Sequence, residues 1–177
     1  MDWLDKISIA TIGVLVCITV AMVAQSELAN RKRSNPGHGN DATESAYQLK
    51  QERNDRIFEE VRSQIKAGEL EKALGVLEGI TEKHPENAQA HVYMAQIKLQ
   101  KGKLGESLQN YRQAVEMDPD LVDERTPFYI GDKLERLVKE GMEKFKREKE
   151  LKPGDESVDK VLKDVYYLQR RLAGGCE

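Results

Sequence analysis

Three histidines and two cysteines are the side chains best suited to ligate a metal or act as a nucleophile in this sequence. Neither His38, His84 nor His91 has a cysteine or acidic partner at the spacing of a tetrahedral zinc site. Cys17 and Cys176 stand at opposite ends of the chain, so no disulfide framework is expected. His84 precedes Pro85 where a helical pattern ends, a place where a cation complements the helix dipole. His38, between Gly37 and Gly39, reads as a solvated linker residue. The carboxylate pairs Glu59-Glu60 and Asp123-Glu124 are most simply solvated surface. There is no phosphate loop, no Gly-x-Ser-x-Gly and no Cys-x-x-Cys. The expectation is therefore no catalytic set, no metal, no cofactor and no enzyme. A net charge of −3 and a pI near 5.8 give no basis for a nucleic-acid partner.

What remains is non-covalent binding, and helices must position it. In residues 88–119, apolar or small residues stand at Val92, Met94, Ala95, Ile97 and Leu99. They stand again at Leu104, Leu108, Tyr111, Ala114, Val115 and Met117. The second set is spaced by three and four, the mark of one buried helical stripe. Gly102 supplies the backbone freedom of a tight corner between two helices, and Pro119 ends the second. The unit repeats. Pro85, Pro119 and Pro153 are 34 residues apart, as are Gly68 and Gly102, Leu70 and Leu104, Leu74 and Leu108, and Leu77 and Tyr111.

A helix–turn–helix unit of that length resembles the tetratricopeptide repeat family. The family's small-and-large pattern on the second helix is carried by Ala73, Leu77 and Pro85, then Ser107, Tyr111, Ala114 and Pro119, and in part by Gly141, Phe145 and Pro153. On the first helix the family's aromatic position is Ile57, then His91, and its Leu-Gly pair is Glu60-Val61, then Met94-Ala95. The resemblance covers about residues 54–153. It implies an all-α fold, a short tetratricopeptide-type helical solenoid, with repeats at about 54–87 and 88–121, a degenerate one at 122–154, and a capping helix at 155–172. The first helix is expected to run from Asp41, with Glu44 in a capping box, to about Ala67. In the third unit Arg136 occupies the place of the corner glycine. One long helix from Pro127 to Leu151 is expected there, with Thr126 as its N-cap; a two-helix unit broken near Gly131 is the alternative. Asp155 is placed to cap the last helix, about 156–172.

The N-terminal stretch has a different chemistry. Residues 7–24 carry no charge. As a helix they would span about 27 Å at 1.5 Å per residue, enough to cross a bilayer core near the short end. A cleaved signal peptide fits less well, because Asp2 and Asp5 replace its basic start and Met22 lies near its cleavage site. The domain plan is thus an N-terminal membrane anchor over 1–26, a flexible basic and polar linker over 27–45, and a repeat domain over 46–177. Arg31, Lys32 and Arg33 after the span outweigh Lys6 before it, which places the repeats on the cytoplasmic side of a single-pass protein. Gly13, Cys17 and Ala21 recur every four residues and could pack against another membrane helix, though small residues are common in such spans.

Tetratricopeptide arrays typically bind peptides or helices along the concave face of successive first helices. Carried over, that groove is Phe58, Arg62, Ile65 and Lys66 in the first unit and Val92, Gln96, Leu99 and Gln100 in the second. The opposing reading packs Phe58, Ile65 and Leu99 into the core. The Lys and Asn set with which chaperone-tail receptors of the family grip a terminal carboxylate is absent. The expected function is a non-catalytic interaction adaptor, assembly factor or accessory subunit of a membrane complex. Its partner would be a protein, a membrane subunit among the candidates. An exported repeat protein assisting folding or maturation, and a self-assembling scaffold, are the alternatives.

Overall fold

The computed structural model describes residues 41–174, and among them every regular element is helical. Seven α-helices and one short 3-10 helix follow in order: α1 Asp41–Ile57, α2 Glu59–Lys66, α3 Leu70–Lys83, α4 Ala88–Gln100, α5 Leu104–Met117, the 3-10 helix Pro119–Val122, α6 Gly131–Leu151 and α7 Glu156–Leu172. Contacts divide the chain into Met1–Leu49 and Lys50–Glu177. Residues 41–49, the described part of the first unit, are the opening half of α1, in which Ser45 Oγ donates to the Ala42 carbonyl at 2.9 Å. Both hydrophobic clusters lie in the second unit. The expected span at 7–24, its packing residues Gly13, Cys17 and Ala21, and the linker around His38 lie outside the described residues. Among the described residues, no helix is long and apolar enough to cross a membrane.

The 34-residue period is written into the backbone. At the first corner Gly68 N–H donates to the Ile65 carbonyl at 3.1 Å and Glu69 N–H to Gln64 at 2.9 Å. At the second, Gly102 N–H donates to Leu99 and Lys103 N–H to Lys98, each at 2.9 Å. This bond pair closes a helix when the residue after the cap turns left-handed, and φ is +76° at Gly68 and +72° at Gly102. The far ends match too. His84, Asp118 and Lys152 each donate back to the carbonyl four residues earlier, at 2.8, 2.9 and 2.9 Å, and a proline follows each. Nothing lies within 4 Å of a Cβ added at Gly102, so a substitution there is resisted by the backbone alone. Gly102→Ala is expected to lose about 1 kcal/mol, the left-handed penalty less the entropy removed from the unfolded chain. Urea denaturation checks this, with Gly102→Asn losing less.

Side chains repeat with the backbone. Ala73, Ser107 and Gly141 are buried small residues, and Leu77, Tyr111 and Phe145 are buried large ones, each set at intervals of 34. The small residues permit close approach. A Cβ at Gly141 would stand 2.6 Å from Leu108 Cδ1 and 3.3 Å from Val165 Cγ2, and Ser107 Oγ donates to the Ala95 carbonyl at 2.8 Å. Helix α4 is apolar on two faces. Ala90 and Ile97 join Phe58, Val61, Ala73 and Leu77 in one cluster. Ala88, Val92 and Ala95 join Leu108, Tyr111, Leu134, Val165 and others in the second. One helix between two cores couples the α2–α3 pair to the rest of the unit.

Two expectations change. The helix expected over 41–67 is interrupted at Phe58, where φ is −103° and ψ 11°. The interruption is local, because Phe58 N–H still donates to Asn54 and Arg62 N–H to Phe58, both at 2.9 Å. Thr126 does not cap a helix starting at Pro127. Its Oγ1 donates to the Asp120 and Asp123 carbonyls at 2.6 and 3.1 Å, and Ile130 N–H is tied to Leu121 at 2.9 Å. These bonds hold 123–130 as a loop, so α6 begins at Gly131; from there it is the single long helix expected. Asp155 does cap α7, accepting from Ser157 N–H at 3.0 Å. Helix α7 packs on both α5 and α6 and buries Val158, Leu162, Val165 and Leu168.

Candidate protein-binding surface

The eight groove residues divide by burial. Phe58 and Val92 are 0% and 2% exposed. Both belong to the core and offer no surface to a ligand. Phe58, at the break between α1 and α2, clusters with Ala73 and Leu77 of α3 and Ala90 and Ile97 of α4, and its ring lies 5.0 Å from that of Tyr93 at 43°. Ile65 is half-buried against the Phe58 cluster, and Leu99 is half-buried against the other. Arg62 and Gln96 are partly exposed, and Lys66 and Gln100 are exposed. The accessible part of the proposed groove is therefore polar: Arg62, Lys66, Gln96 and Gln100.

Arg62 is held in place. Its Nη1 lies 2.9 Å from Asp55 Oδ1, and its Nη2 donates to the Asp55 carbonyl at 2.7 Å. Its hydrogen bond with Tyr93 raises the guanidinium above its ordinary value; burial opposes this, and Asp55 adds a smaller push upward. Tyr93 is the residue that sequence reasoning missed. It is half-buried, packs its ring on the Phe58 cluster and couples to Arg62. An aromatic ring with a polar tip suits the boundary between core and surface, and Tyr93 is the one aromatic residue in α4; that was the available signal. An oriented guanidinium beside a phenol, with amides one and two turns away, can hydrogen-bond an extended peptide.

Other charges near α4 are engaged in joining helices. Lys101 Nζ lies 2.8 Å from Glu71 Oε1, linking α4 to α3. Lys50 Nζ lies 2.7 Å from Asp118 Oδ2 and 4.5 Å from the centre of the Phe128 ring, linking α1 to the end of α5. Glu106, in the first turn of α5, accepts from Lys103 at 2.8 Å and Lys98 at 2.9 Å. Those bonds, Lys103's first, bring its carboxyl down to about 2. A depressed acid stabilises the fold above its unfolded value and loses that contribution as pH falls toward the folded one. Glu106→Gln should accordingly cost less than about 1 kcal/mol at neutral pH, because the group is well solvated. The difference from wild type should shrink as pH falls from about 4.5, vanish only below about pH 2, and shrink in high salt. Urea midpoints across that range check both.

His91 is half-buried on α4, and its Nδ1 has no hydrogen-bond partner among the described residues. His84 caps α3, with Nδ1 3.7 Å from Glu86. Among the described residues, no three His, Cys, Asp or Glu side chains are grouped to hold a metal ion. No protein-family model matches the chain, and no curated protein matches it.

Proposed function

We propose that this chain is a membrane-tethered, non-catalytic adaptor of the tetratricopeptide type, which recruits or assembles a protein partner. What carries the reading is the repetition of one corner and one helix stop at 34-residue intervals. Side chains of α2 and α4 share one hydrophobic cluster, which supports the reading. The binding strip on that pair is Arg62, Tyr93, Gln96 and Gln100, with Lys66 at its edge. The uncharged stretch 7–24 is the tether, and the basic residues after it place the helical domain on the cytoplasmic side.

Affinity capture of the full-length protein from membranes, with mass spectrometry, tests the proposal. Arg62→Glu combined with Gln96→Ala should reduce recovery of the captured partner about tenfold or more, with an unchanged helical melt. Equal recovery would remove this strip as the binding surface. Digestion of the helical domain by protease added outside intact cells would overturn the topology.

A further inference from the structure

Helices α6 and α7 carry a second surface, chemically unlike the first. Between them runs an open trough lined by Lys146 and Lys149 from one helix and Lys163 and Tyr166 from the other. It continues past Lys163 and Tyr166 to Arg170. Tyr166 is 42% exposed, one of few large apolar side chains so placed among the described residues. Lys146 Nζ stands 6.0 Å from the centre of its ring. Below the ring lies Leu162, which is buried in the core, so the trough has a fixed floor.

The charge balance of this trough is positive. Lys149 is matched by Asp159, with Nζ to Oδ1 at 2.7 Å. Glu150 also lies on its wall. Against it stand Lys146, Lys163 and Arg170, none of which forms an ion pair with another described residue. Three cations around a half-exposed aromatic ring suit a partner with both carboxylates and an apolar side chain: the carboxylates meet Lys163, Arg170 and Lys146 while the apolar group covers Tyr166. A polyanion with continuous charge suits it less. Glu150 and Asp159 stand at one end of the trough and would repel the next phosphates of a nucleic acid or an anionic bilayer.

We propose that the α6–α7 trough docks an acidic, partly apolar segment of a protein partner, with Tyr166 at its centre. The reading needs only that the chain binds proteins; it does not need the α2–α4 strip. The two surfaces therefore fail separately, and a partner lost on Arg62→Glu says nothing about Tyr166.

The test uses full-length protein in phosphatidylcholine nanodiscs and fluorescence anisotropy. The probes are a labelled peptide of alternating glutamate and leucine, its lysine–leucine counterpart, a single-stranded oligonucleotide, and phosphatidylserine vesicles. The expected result is saturable binding of the acidic peptide alone. Lys163→Glu with Tyr166→Ala should weaken it about tenfold or more. All of these side chains are on the surface, so the melt should not move. A second variant, Lys146→Gln with Arg170→Gln, should weaken binding by a smaller factor and reduce its salt dependence. Equal binding by both variants, no binding of the acidic peptide, or tighter binding of the oligonucleotide or vesicles would overturn the proposal.

Discussion

Phe58→Ala should cost about 3–5 kcal/mol, the usual loss when a fully buried phenylalanine is cut back to a methyl group. The ring is 0% exposed and packs with Val61, Ala73, Leu77, Ala90 and Ile97. Few atoms could close the gap, because the α2–α3 pair has the smaller of the two cores. The damage should therefore be local at first. The α2–α3 pair should loosen, seen as faster amide exchange in α3, before α5 to α7 are affected, since their cluster does not contain Phe58. Capture of a partner at the α2–α4 strip should fall as well, but through loss of the fold. Arg62→Ala provides the contrast, a change of at most about 1 kcal/mol in stability because its pair with Asp55 is solvated. Denaturant midpoints of the two variants, set beside partner recovery, separate packing from contact. A loss below about 1 kcal/mol for Phe58→Ala would contradict the packing role assigned here.

The fate of Phe58 shows what sequence can and cannot fix. Corner and stop positions were legible, because glycine and proline act through backbone geometry that their own types dictate. Gly68, Gly102, Pro85, Pro119 and Pro153 each do what their spacing implied. The buried stripes of α5 and α7 were legible for the same kind of reason: a one-sided helix reveals its phase. Helix α4 is the opposite case. It has apolar residues nearly all round because it lies between two cores, so periodicity gives no phase, and Leu99 could be read as groove or core with equal ease. The loop at 123–130 failed differently. Thr126 and Pro127 form a sound helix-start signal, but a threonine hydroxyl serves a turn as readily as a cap. Here two carbonyls, those of Asp120 and Asp123, take it. Of the proposed strip, Arg62, Gln96 and Gln100 come from the groove positions that the tetratricopeptide resemblance implies, and the structure leaves them on the surface. Tyr93 was not legible, because its role depends on the ring of Phe58 beneath it.

Tyr111 offers the sharpest test of the larger core. It is 1% exposed, sits where the period places a large residue, and its hydroxyl finds no hydrogen-bond partner among the described residues. Two substitutions should move stability in opposite directions. Tyr111→Ala removes the ring from the cluster shared by α4, α5, α6 and α7, and should cost about 3–5 kcal/mol. Tyr111→Phe keeps the ring and removes a buried polar group, and should stabilise the protein by about 1 kcal/mol. Alkaline pH enlarges the second effect. Burial pushes the phenol up from its ordinary value to about 12. Below the unfolded value, about 10, both states keep the proton and this group gives no pH dependence. Between about 10 and 12 the unfolded chain releases its proton first, so wild-type stability falls as pH rises, by on the order of 2–3 kcal/mol across the window. The phenylalanine variant lacks that loss. Its advantage over wild type in urea midpoint should therefore grow from about pH 9 to about pH 11, while titrating groups distant from Tyr111 cancel in the difference. An advantage that stays flat across this window, or a variant less stable than wild type at neutral pH, would mean that the hydroxyl has found a partner and that the interior around α5 is wetter than its packing implies.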